Sequence, residues 1–328
     1  MLKYFIKRIG YMIFVFLVMS VLLFWLYSLI PGDPAKTELE PLRETLTPEE
    51  YQLQYKLIRD RLGLDDPIYV RYARWAQKFF TGDFGISNTH KKPVADVVKE
   101  PLKITILYNL VVLTFIFIVT VPLGIICAIK KNSAFDKVVQ ILTVVGYSIP
   151  SFVFALLFIS FFAVHLGWFP VSGMKTPNFQ GTNWEAFLDL AKHMALPIIV
   201  LTVSSLGGMT RYVRAQMTDA LSMDCIRTAR AKGLKESVVV LVHAWRNALL
   251  GLITIMISFF MSMFSGALIL ESMFLINGMG KFLYDALLQQ DYNVTIALQL
   301  FYVVIALVTN LIVDLSYGLV DPRVRVNK

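Results

Sequence analysis

The sequence has 328 residues, of which 56% are hydrophobic and only 16% are charged, and its mean hydropathy is +0.62. Ordinary soluble domains contain about 45–50% apolar residues, so this composition excludes a typical soluble globular protein and indicates a chain that lies largely in a bilayer. The net charge of +8 comes from short basic segments between apolar runs. Nucleic-acid binding would need a solvated basic domain, which the sequence does not contain.

Six uncharged windows approach or exceed the ~20 residues that a helix needs to cross a ~30 Å hydrocarbon core. Backbone polar groups find no water in hydrocarbon, so each window is predicted to form a helix that satisfies its own hydrogen bonds. The sequence therefore predicts an all-α, polytopic transmembrane bundle of six spans. The windows are Ile9–Ile30, Ile104–Ile129, Val138–Val164, Met194–Thr210, which is the shortest, Asn247–Leu270 and Val294–Val313.

The distribution of Lys and Arg predicts the orientation of these spans, because basic residues in short flanking segments mark the cytoplasmic side. The N-terminal tail, the turn at 130–137, the segment 211–246 and the C-terminal tail are rich in them, whereas the segments 165–193 and 271–293 contain few. Both termini are therefore predicted to be cytoplasmic. The long segment 31–103 is also rich in Lys and Arg, but this does not contradict the orientation, since long loops cross the membrane largely regardless of charge.

The order of these windows predicts a division of the chain into four parts. Residues 1–30 form a short tail and a first span that is retained rather than cleaved as a signal peptide, because its apolar run is too long for one. Residues 31–103 form an outer helical subdomain. Residues 104–320 form a core of five spans that includes the inner loop 211–246, and residues 321–328 form an inner tail.

The outer segment contains two predicted helices. Thr47-Pro48-Glu49-Glu50 places a capping hydroxyl, a proline at the first helical position and a carboxylate at the third, so a helix is predicted from Pro48 to about Leu62 and should stop at Gly63. A second is predicted from Pro67 to about Phe80. Its aromatic face either packs on a neighbour or lies among lipid headgroups, and comprises Tyr69, Tyr72, Trp75, Ala76 and Phe79.

The residues that enzymes and metal sites require are not grouped. The sequence has no phosphate-binding Walker motif, and its closest approach at Gly280-Lys281 lacks the first glycine and the hydroxyl. No nucleophile elbow occurs, and the four histidines are scattered without metal-ligand spacing. Cys127 and Cys225 both fall on the predicted inner, reducing side, where a disulfide is not expected. Transport is therefore the favoured class, and neither catalysis nor a cofactor is expected of this chain.

A charged stretch, RTARAKGLKESVVVLVHAWR at 227–246, interrupts the apolar runs. A periodicity of three predicts an amphipathic helix that begins after Asp219 or Asp224 and ends at Gly233, with a further helical run from about Glu236. Such a helix either lies on anionic lipid or enters a groove on a cytosolic partner. The apolar residues are Ala220, Met223, Ile226 and Ala229, and Arg227 and Arg230 lie on an adjacent stripe.

Two motifs in this stretch resemble the signature loop of ABC-importer permeases of the peptide/nickel permease family. They are Arg227-Thr228-Ala229-Arg230-Ala231-Lys232-Gly233 and His243-Ala244-Trp245-Arg246-Asn247-Ala248-Leu249-Leu250. Further motifs follow in the order found in the first permease of oligopeptide and dipeptide importers, so the resemblance covers nearly the whole chain. They include Pro31-Gly32-Asp33-Pro34, Gly82-Asp83-Phe84-Gly85-Ile86-Ser87, Ser148-Ile149-Pro150-Ser151-Phe152, Glu271-Ser272-Met273-Phe274 and Asp321-Pro322-Arg323.

The resemblance implies an ABC type I importer-like fold in the bacterial cytoplasmic membrane. It also implies a second homologous permease, two cytosolic ABC ATPase subunits, an external substrate-binding protein and a peptide substrate. The alternatives are a permease for nickel or another small solute and, from a different class, a self-contained channel or secondary carrier. The residues expected to couple to the ATPase are Met223, Ile226, Arg227, Thr228, Ala229, Arg230, Ala231, Lys232 and Gly233.

Two polar features within spans are candidates for the translocation path. Pro150 removes a helical hydrogen bond and predicts a kink in the third span, which either serves the path or merely faces lipid. A strip of small residues at helical spacing in the fifth span, which includes Gly266, either lines the path or allows close helix packing. The candidate path residues are Tyr147, Ser148, Pro150, Ser151, Ser258, Ser262 and Ser265.

Overall fold

The structure is a computed structural model that describes residues 2–29 and 33–320. In this part of the chain no β-sheet forms, and the regular elements are helices, as predicted. Pro31 and Gly32 of the first motif and the predicted tail 321–328, with its Asp321-Pro322-Arg323 motif, lie outside the described residues. The helices are α1 Leu2–Leu29, α2 Pro34–Leu39, α3 Pro48–Leu62, α4 Ile68–Phe80, α5 Val94–Val97, α6 Lys99–Ile129, α7 Ala134–Ser148, α8 Ser151–Phe158, α9 Asn183–Leu221, α10 Asp224–Ala231, α11 Glu236–Val238, α12 Trp245–Met261, α13 Leu268–Met273, α14 Met279–Leu288 and α15 Tyr292–Val320.

Five helical stretches of the described chain are long and apolar enough to cross a membrane, judged by length and composition. A sixth is obtained if α7 and the stretch Ser151–His165, which meet at an angle of 96°, are counted as one broken span. The six predicted windows therefore each have a helical counterpart. The five stretches are Phe5–Leu29, Val94–Ile129, Asn183–Leu221, Glu236–Met273 and Tyr292–Ser316.

The third span differs from its prediction, because the helix is interrupted where only a kink was expected. Helix α7 ends at Ser148, Ile149 is extended with φ −84° and ψ 124°, and Pro150 precedes the first residue of α8. A proline disfavours helical geometry in the residue before it and cannot donate a backbone hydrogen bond. These two effects together convert the expected bend into a turn between two helices, followed by a π-helical segment at Ile159–His165.

The fifth span is also interrupted, which corrects the predicted strip of small residues. Helix α12 ends at Met261, and Ser265 is extended with φ −92° and ψ 132°, so Ser258 and Ser265 do not lie on one continuous helix. The side-chain amide of Asn109 on α6 donates to the carbonyls of Met263 and Ser265, each at 3.1 Å. These two carbonyls accept no hydrogen bond from within a regular helix, and Asn109 supplies the missing donor from another helix. The break therefore leaves no unsatisfied carbonyl at these two positions.

The shortest predicted span is the middle of the longest helix. Helix α9 extends 39 residues, from a capping box at Thr182 and Glu185 to Leu221. Parts of both flanking segments that were assigned to loops are therefore helical. The segment 271–293 likewise contains α14 and the end of α13. Hydropathy reports only the apolar part of a helix, because polar turns beyond the membrane keep the same backbone geometry.

The chain divides into two compact units. One comprises the described residues up to Glu100 together with Leu283–Val304, and the other comprises Pro101–Phe282 with the described residues from Ile305 onward. In the first unit α3 and α4 confirm the two helices predicted for segment 31–103. Thr47 and Glu50 form the predicted capping box, and Gly63, with φ +60°, ends α3.

The aromatic face of α4 packs within this first unit. Trp75 and Phe79 contact a small core formed by Leu23, Ile296 and Leu300. Tyr72 lies 2.8 Å from Ser20 through its hydroxyl. Tyr69 remains 71% exposed. The packing interpretation is therefore confirmed for the C-terminal part of that face.

The loop that follows α4 is held on the start of α15. The buried Ser87 hydroxyl donates to Asp291 Oδ2 at 2.5 Å, and the Asn293 amide donates to the Ile86 carbonyl at 2.9 Å. Ile86 also forms an isolated antiparallel bridge with Pro93. These contacts join segments about 200 residues apart in sequence, so this loop has a defined position within the first unit.

In the second unit α9 is central, since it packs against α7, α8 and α12. The contact with α7 is unusually close at Gly207, where a Cβ atom would overlap the Thr143 carbonyl oxygen. A small residue therefore allows the two backbones to approach, as is common between membrane helices. Leu196, Val200, Met209, Val213 and Met217 are buried along α9.

A buried ion pair joins the same two helices nearer the charged loop. Arg214 on α9 donates to both oxygens of Asp136 on α7, from Nε at 2.6 Å and from Nη2 at 2.8 Å, and Asp136 is fully buried. The Asn132 backbone N–H also donates to Asp136 at 2.9 Å. The carboxylate thus has well-aligned partners for both oxygens.

Replacing Asp136 by alanine is expected to destabilise the protein by about 3 kcal/mol, because Arg214 would keep its charge without its partner in a mostly buried site. The thermal unfolding midpoint of the purified protein in detergent measures the effect. Asp224→Ala is the matched control, since its partner Arg227 is 76% exposed and such a pair contributes about 0–1 kcal/mol. Equal midpoint shifts in the two variants would contradict the prediction.

Candidate functional site

The charged loop folds into a helical hairpin, which we define as residues 223–244. Helix α10 begins at Asp224, not after Asp219, and ends before Gly233, whose φ of +75° lies in the left-handed region. Glycine adopts that conformation without the penalty that a Cβ brings, so it terminates the helix as predicted. Helix α11 starts at Glu236 and passes through a π-helical segment at Val239–Ala244 into α12.

The apolar side of α10 is buried inside the chain's own second unit. Ile226 is fully buried and Ala229 is 5% exposed, and both belong to a core that includes Val239, Val240 and Ala244. Ala220 lies at the end of α9 rather than on α10. The hairpin is thus anchored to the helix before it and the helix after it.

The remaining candidate coupling residues form the outward side of the hairpin. Two of the nine predicted residues, Ile226 and Ala229, therefore affect a partner only by setting the position of α10. Met223 and Leu234 add exposed apolar surface, at 42% and 41% exposure, beside the basic residues. The seven exposed members are Met223, Arg227, Thr228, Arg230, Ala231, Lys232 and Gly233.

Ion pairs brace the hairpin across its turn. Arg230 donates to both oxygens of Glu236, at 2.6 and 3.1 Å. These hydrogen bonds raise the pKa of Arg230 above its already high ordinary value, so the guanidinium stays charged. Arg227 contacts Asp224 at 3.3 Å, whereas Lys232 forms no ion pair with any residue that the structure describes. The hairpin therefore presents a basic, preorganised surface.

The candidate path residues are exposed in the isolated chain, except the half-buried Ser151, but they do not form one group. Ser148 donates its hydroxyl to the Val144 carbonyl at 2.8 Å and Ser258 to the Thr254 carbonyl at 2.9 Å, so both are bonded within their own helices. Tyr147 is 68% exposed and lines a cavity of about 480 Å³. The other lining residues are Gln140, Gly208, Arg211, Tyr212, Arg214 and Ala215.

A buried carboxylate that the sequence analysis named only as part of a motif organises the break in the fifth span. Glu271 is 1% exposed. Its Oε1 accepts from the Tyr108 hydroxyl at 2.5 Å and from the Ala267 N–H at 3.1 Å, and its Oε2 accepts from the Lys281 N–H at 2.8 Å. An acidic residue at the edge of an apolar run is the signal that could have suggested this role.

The helical spans, the broken third and fifth helices and the polar hairpin anchored between α9 and α12 define a multi-pass membrane permease. A family model described as binding-protein-dependent transport system inner membrane component matches residues 120–326, and a model of the N-terminal membrane component of such systems matches residues 1–107. The chain belongs to this family of binding-protein-dependent transport permeases.

Curated relatives match over the full length of the chain. The oligopeptide transport system permease protein AppB of Bacillus subtilis is 36% identical, covering 99% of each chain. The glutathione transport system permease protein GsiC of Escherichia coli K12 is 33% identical, also covering 99% of each. These matches confirm the resemblance to the peptide permeases of ABC importers.

A solved structure supports the fold. A chain of the MetNI methionine ABC transporter, in an inward-facing conformation, aligns with a TM-score of 0.54 at 16% identity, over 68% of this chain and 96% of that one. At this identity the match concerns the fold alone, and it confirms the ABC type I importer-like architecture of the helical core.

Proposed function

We propose that this chain is a transmembrane permease subunit of an ATP-driven importer of oligopeptides or dipeptides. The proposal is supported by full-length similarity to relatives named as oligopeptide and glutathione transport permeases. In this proposal the chain resides in the bacterial cytoplasmic membrane with both termini inside, and it catalyses no reaction itself. A nickel or other small-solute permease remains the alternative, but no metal-binding cluster occurs among the described residues.

The proposed importer contains three kinds of partner. A second homologous permease would enclose the passage with this chain, and two cytosolic ABC ATPase subunits would bind beneath the two permeases. A substrate-binding protein would deliver peptide on the opposite side. Because the chain has no phosphate-binding motif, ATP hydrolysis belongs to the partner subunits in this proposal.

The observation that best supports a coupling role for the hairpin is the burial pattern of α10. An amphipathic helix that lies on lipid needs a free apolar face, but that face is covered here by the chain's own core at Ile226 and Ala229. The surface left over is basic and braced by the Arg230–Glu236 pair. Such a surface is suited to a groove on a protein partner.

The same hairpin gives a route for motion into the spans. Helix α10 follows α9 after a turn at Ser222 and Met223, and α11 continues into α12. A displacement of the hairpin by the ATPase would therefore tilt α9 and α12 together. Rigid-body movement of packed helices is a common way to transmit a local contact to a distant gate. The broken third and fifth spans are the proposed moving walls of the path.

Purification of this chain from its native membrane is expected to yield an assembly with a second permease and ATPase subunits. Proteoliposomes that contain this assembly should take up peptide only when ATP is supplied on the ATPase side and binding protein on the other. Co-eluting subunits are identified by mass spectrometry, and uptake is measured with a labelled tripeptide. ATP-independent uptake by the chain alone would instead indicate a self-contained channel or carrier.

A further inference from the structure

The 480 Å³ cavity between α7 and α9 contains an unpaired cation. Arg211 makes no hydrogen bond or ion pair with any residue in the described ranges. Its neighbour Arg214 is neutralised by Asp136 through two hydrogen bonds. The lining residues therefore carry one uncompensated positive charge, and the nearby carboxylate is already occupied.

The position of the cavity argues for a role inside the membrane. Its lining reaches Tyr147, which lies nine residues into the predicted third span, and a helix rises ~1.5 Å per residue. Tyr147 therefore lies on the order of 13 Å into that predicted span. An arginine beside a span is unfavourable unless it faces water or a partner, so Arg211 is expected to face one of the two.

The chemistry of the lining selects a small anion with hydrogen-bonding oxygens. A guanidinium binds a carboxylate through two parallel hydrogen bonds. The hydroxyls of Tyr147 and Tyr212 line the same space and are further hydrogen-bond donors. The volume of about 480 Å³ lies within the range of small-molecule sites.

We infer that Arg211 binds the C-terminal carboxylate of a peptide as it passes through the cavity. This inference rests on the proposed function. Peptides differ in their side chains, so a path that accepts many sequences can recognise only their constant parts, the backbone and the two charged ends. The lining offers a free cation for the carboxylate and no free carboxylate for the amine, which selects the C-terminus.

The test uses the complete importer in proteoliposomes, with tri-alanine and tri-alanine amide as probes. For Arg211→Gln, uptake of tri-alanine is expected to fall about tenfold, which is the effect expected from the loss of one charge-assisted hydrogen bond. Uptake of the amide is expected to change little. The acid-to-amide ratio then falls by the same factor. The binding protein is identical in every assay, so a change in this ratio reports the permease.

Two variants serve as comparisons. Arg211→Lys keeps the charge but not the paired hydrogen bonds, and it should retain part of the preference for the acid. Lys192→Gln removes a positive charge near the other end of α9, outside the cavity, and should leave the ratio unchanged. The assays are repeated in phosphatidylcholine with and without phosphatidylglycerol.

Three results would overturn the inference. An unchanged acid-to-amide ratio in Arg211→Gln would show that Arg211 does not recognise the carboxylate. Equal losses for both probes, present only with phosphatidylglycerol, would assign Arg211 to a lipid phosphate, and equal losses in either lipid would show a structural role. Absence of ATP-driven uptake of both probes in the unmodified complex would overturn the proposed function as well.

Discussion

Reversing both exposed arginines of α10, as Arg227→Glu/Arg230→Glu, is expected to lower ATP-dependent peptide uptake at least about tenfold. The basic surface of the hairpin would become acidic, and loss of a charged contact at an interface typically costs about 2–5 kcal/mol. Uptake by proteoliposomes and the amount of ATPase subunit that co-purifies are both measured, and both should fall. Lys131→Glu reverses an exposed charge on the same predicted side, outside the hairpin, and should behave like the unmodified protein.

The Arg230–Glu236 pair allows the structural and the interface roles of Arg230 to be separated. Arg230→Glu both reverses a surface charge and places two carboxylates together across the turn. The exchange Arg230→Glu/Glu236→Arg restores the pair, for which the structure gives a bidentate contact, and leaves the net charge unchanged. If Arg230 contacts the ATPase, the exchange remains defective. Full recovery of uptake would instead show that Arg230 only braces the hairpin.

Replacing Glu271 by alanine is expected to have the largest effect on stability. The variant would leave the Tyr108 hydroxyl and the N–H groups of Ala267 and Lys281 without their acceptor. Each buried donor without a partner costs about 1–3 kcal/mol, so the total for the three donors is on the order of 3–9 kcal/mol. This is a large part of the net stability of a typical domain, about 5–15 kcal/mol. The measurement is the thermal unfolding midpoint together with the yield of folded protein.

Two further variants make this test specific to the carboxylate. Tyr108→Phe removes one of the three hydrogen bonds and should lower the midpoint much less than Glu271→Ala. Glu185→Ala removes a carboxylate from an exposed capping box, and the expected loss is about 1 kcal/mol. If Glu271→Ala were no less stable than Tyr108→Phe, the carboxylate would not be the group that holds the broken fifth span.

Local sequence patterns were sufficient to predict many helix ends. The capping box at Thr47 and Glu50 and the glycines at 63 and 233 lie where the pattern predicted. These features involve residues within about four positions of one another, and the free energy that determines them is local. The same is true of the apolar windows, each of which has a helical counterpart.

The interrupted spans show the limit of local reasoning. Pro150 signalled a disturbance but not its size, which depends on how α8 packs after the turn. Nothing in the run Asn247–Leu270 indicated that the helix would end at Met261, because the groups that permit the break come from elsewhere. Asn109 satisfies two of the carbonyls, and it lies about 150 residues away in sequence.

Some features of the candidate site could likewise be predicted from local sequence, and others could not. The basic hairpin was predictable because its composition contrasts with the apolar runs on either side. Which face of α10 is buried was not, since Ile226 and Ala229 are covered by residues of other helices. The unpaired charge of Arg211 could not be predicted from the sequence either, because it depends on Asp136 pairing with Arg214 and not with Arg211.

The amino-acid sequence alone determined that this is an all-helical membrane protein with a polar hairpin and the motif order of a peptide permease. Hydrophobic length, charge bias and capping act over a few residues, so they can be recognised without coordinates. Only the tertiary structure decided which polar side chains are buried together, as at Glu271 and Tyr108, 163 residues apart. In a bilayer an unpaired polar group is costly, and its partner is whichever residue the packing of helices brings within reach.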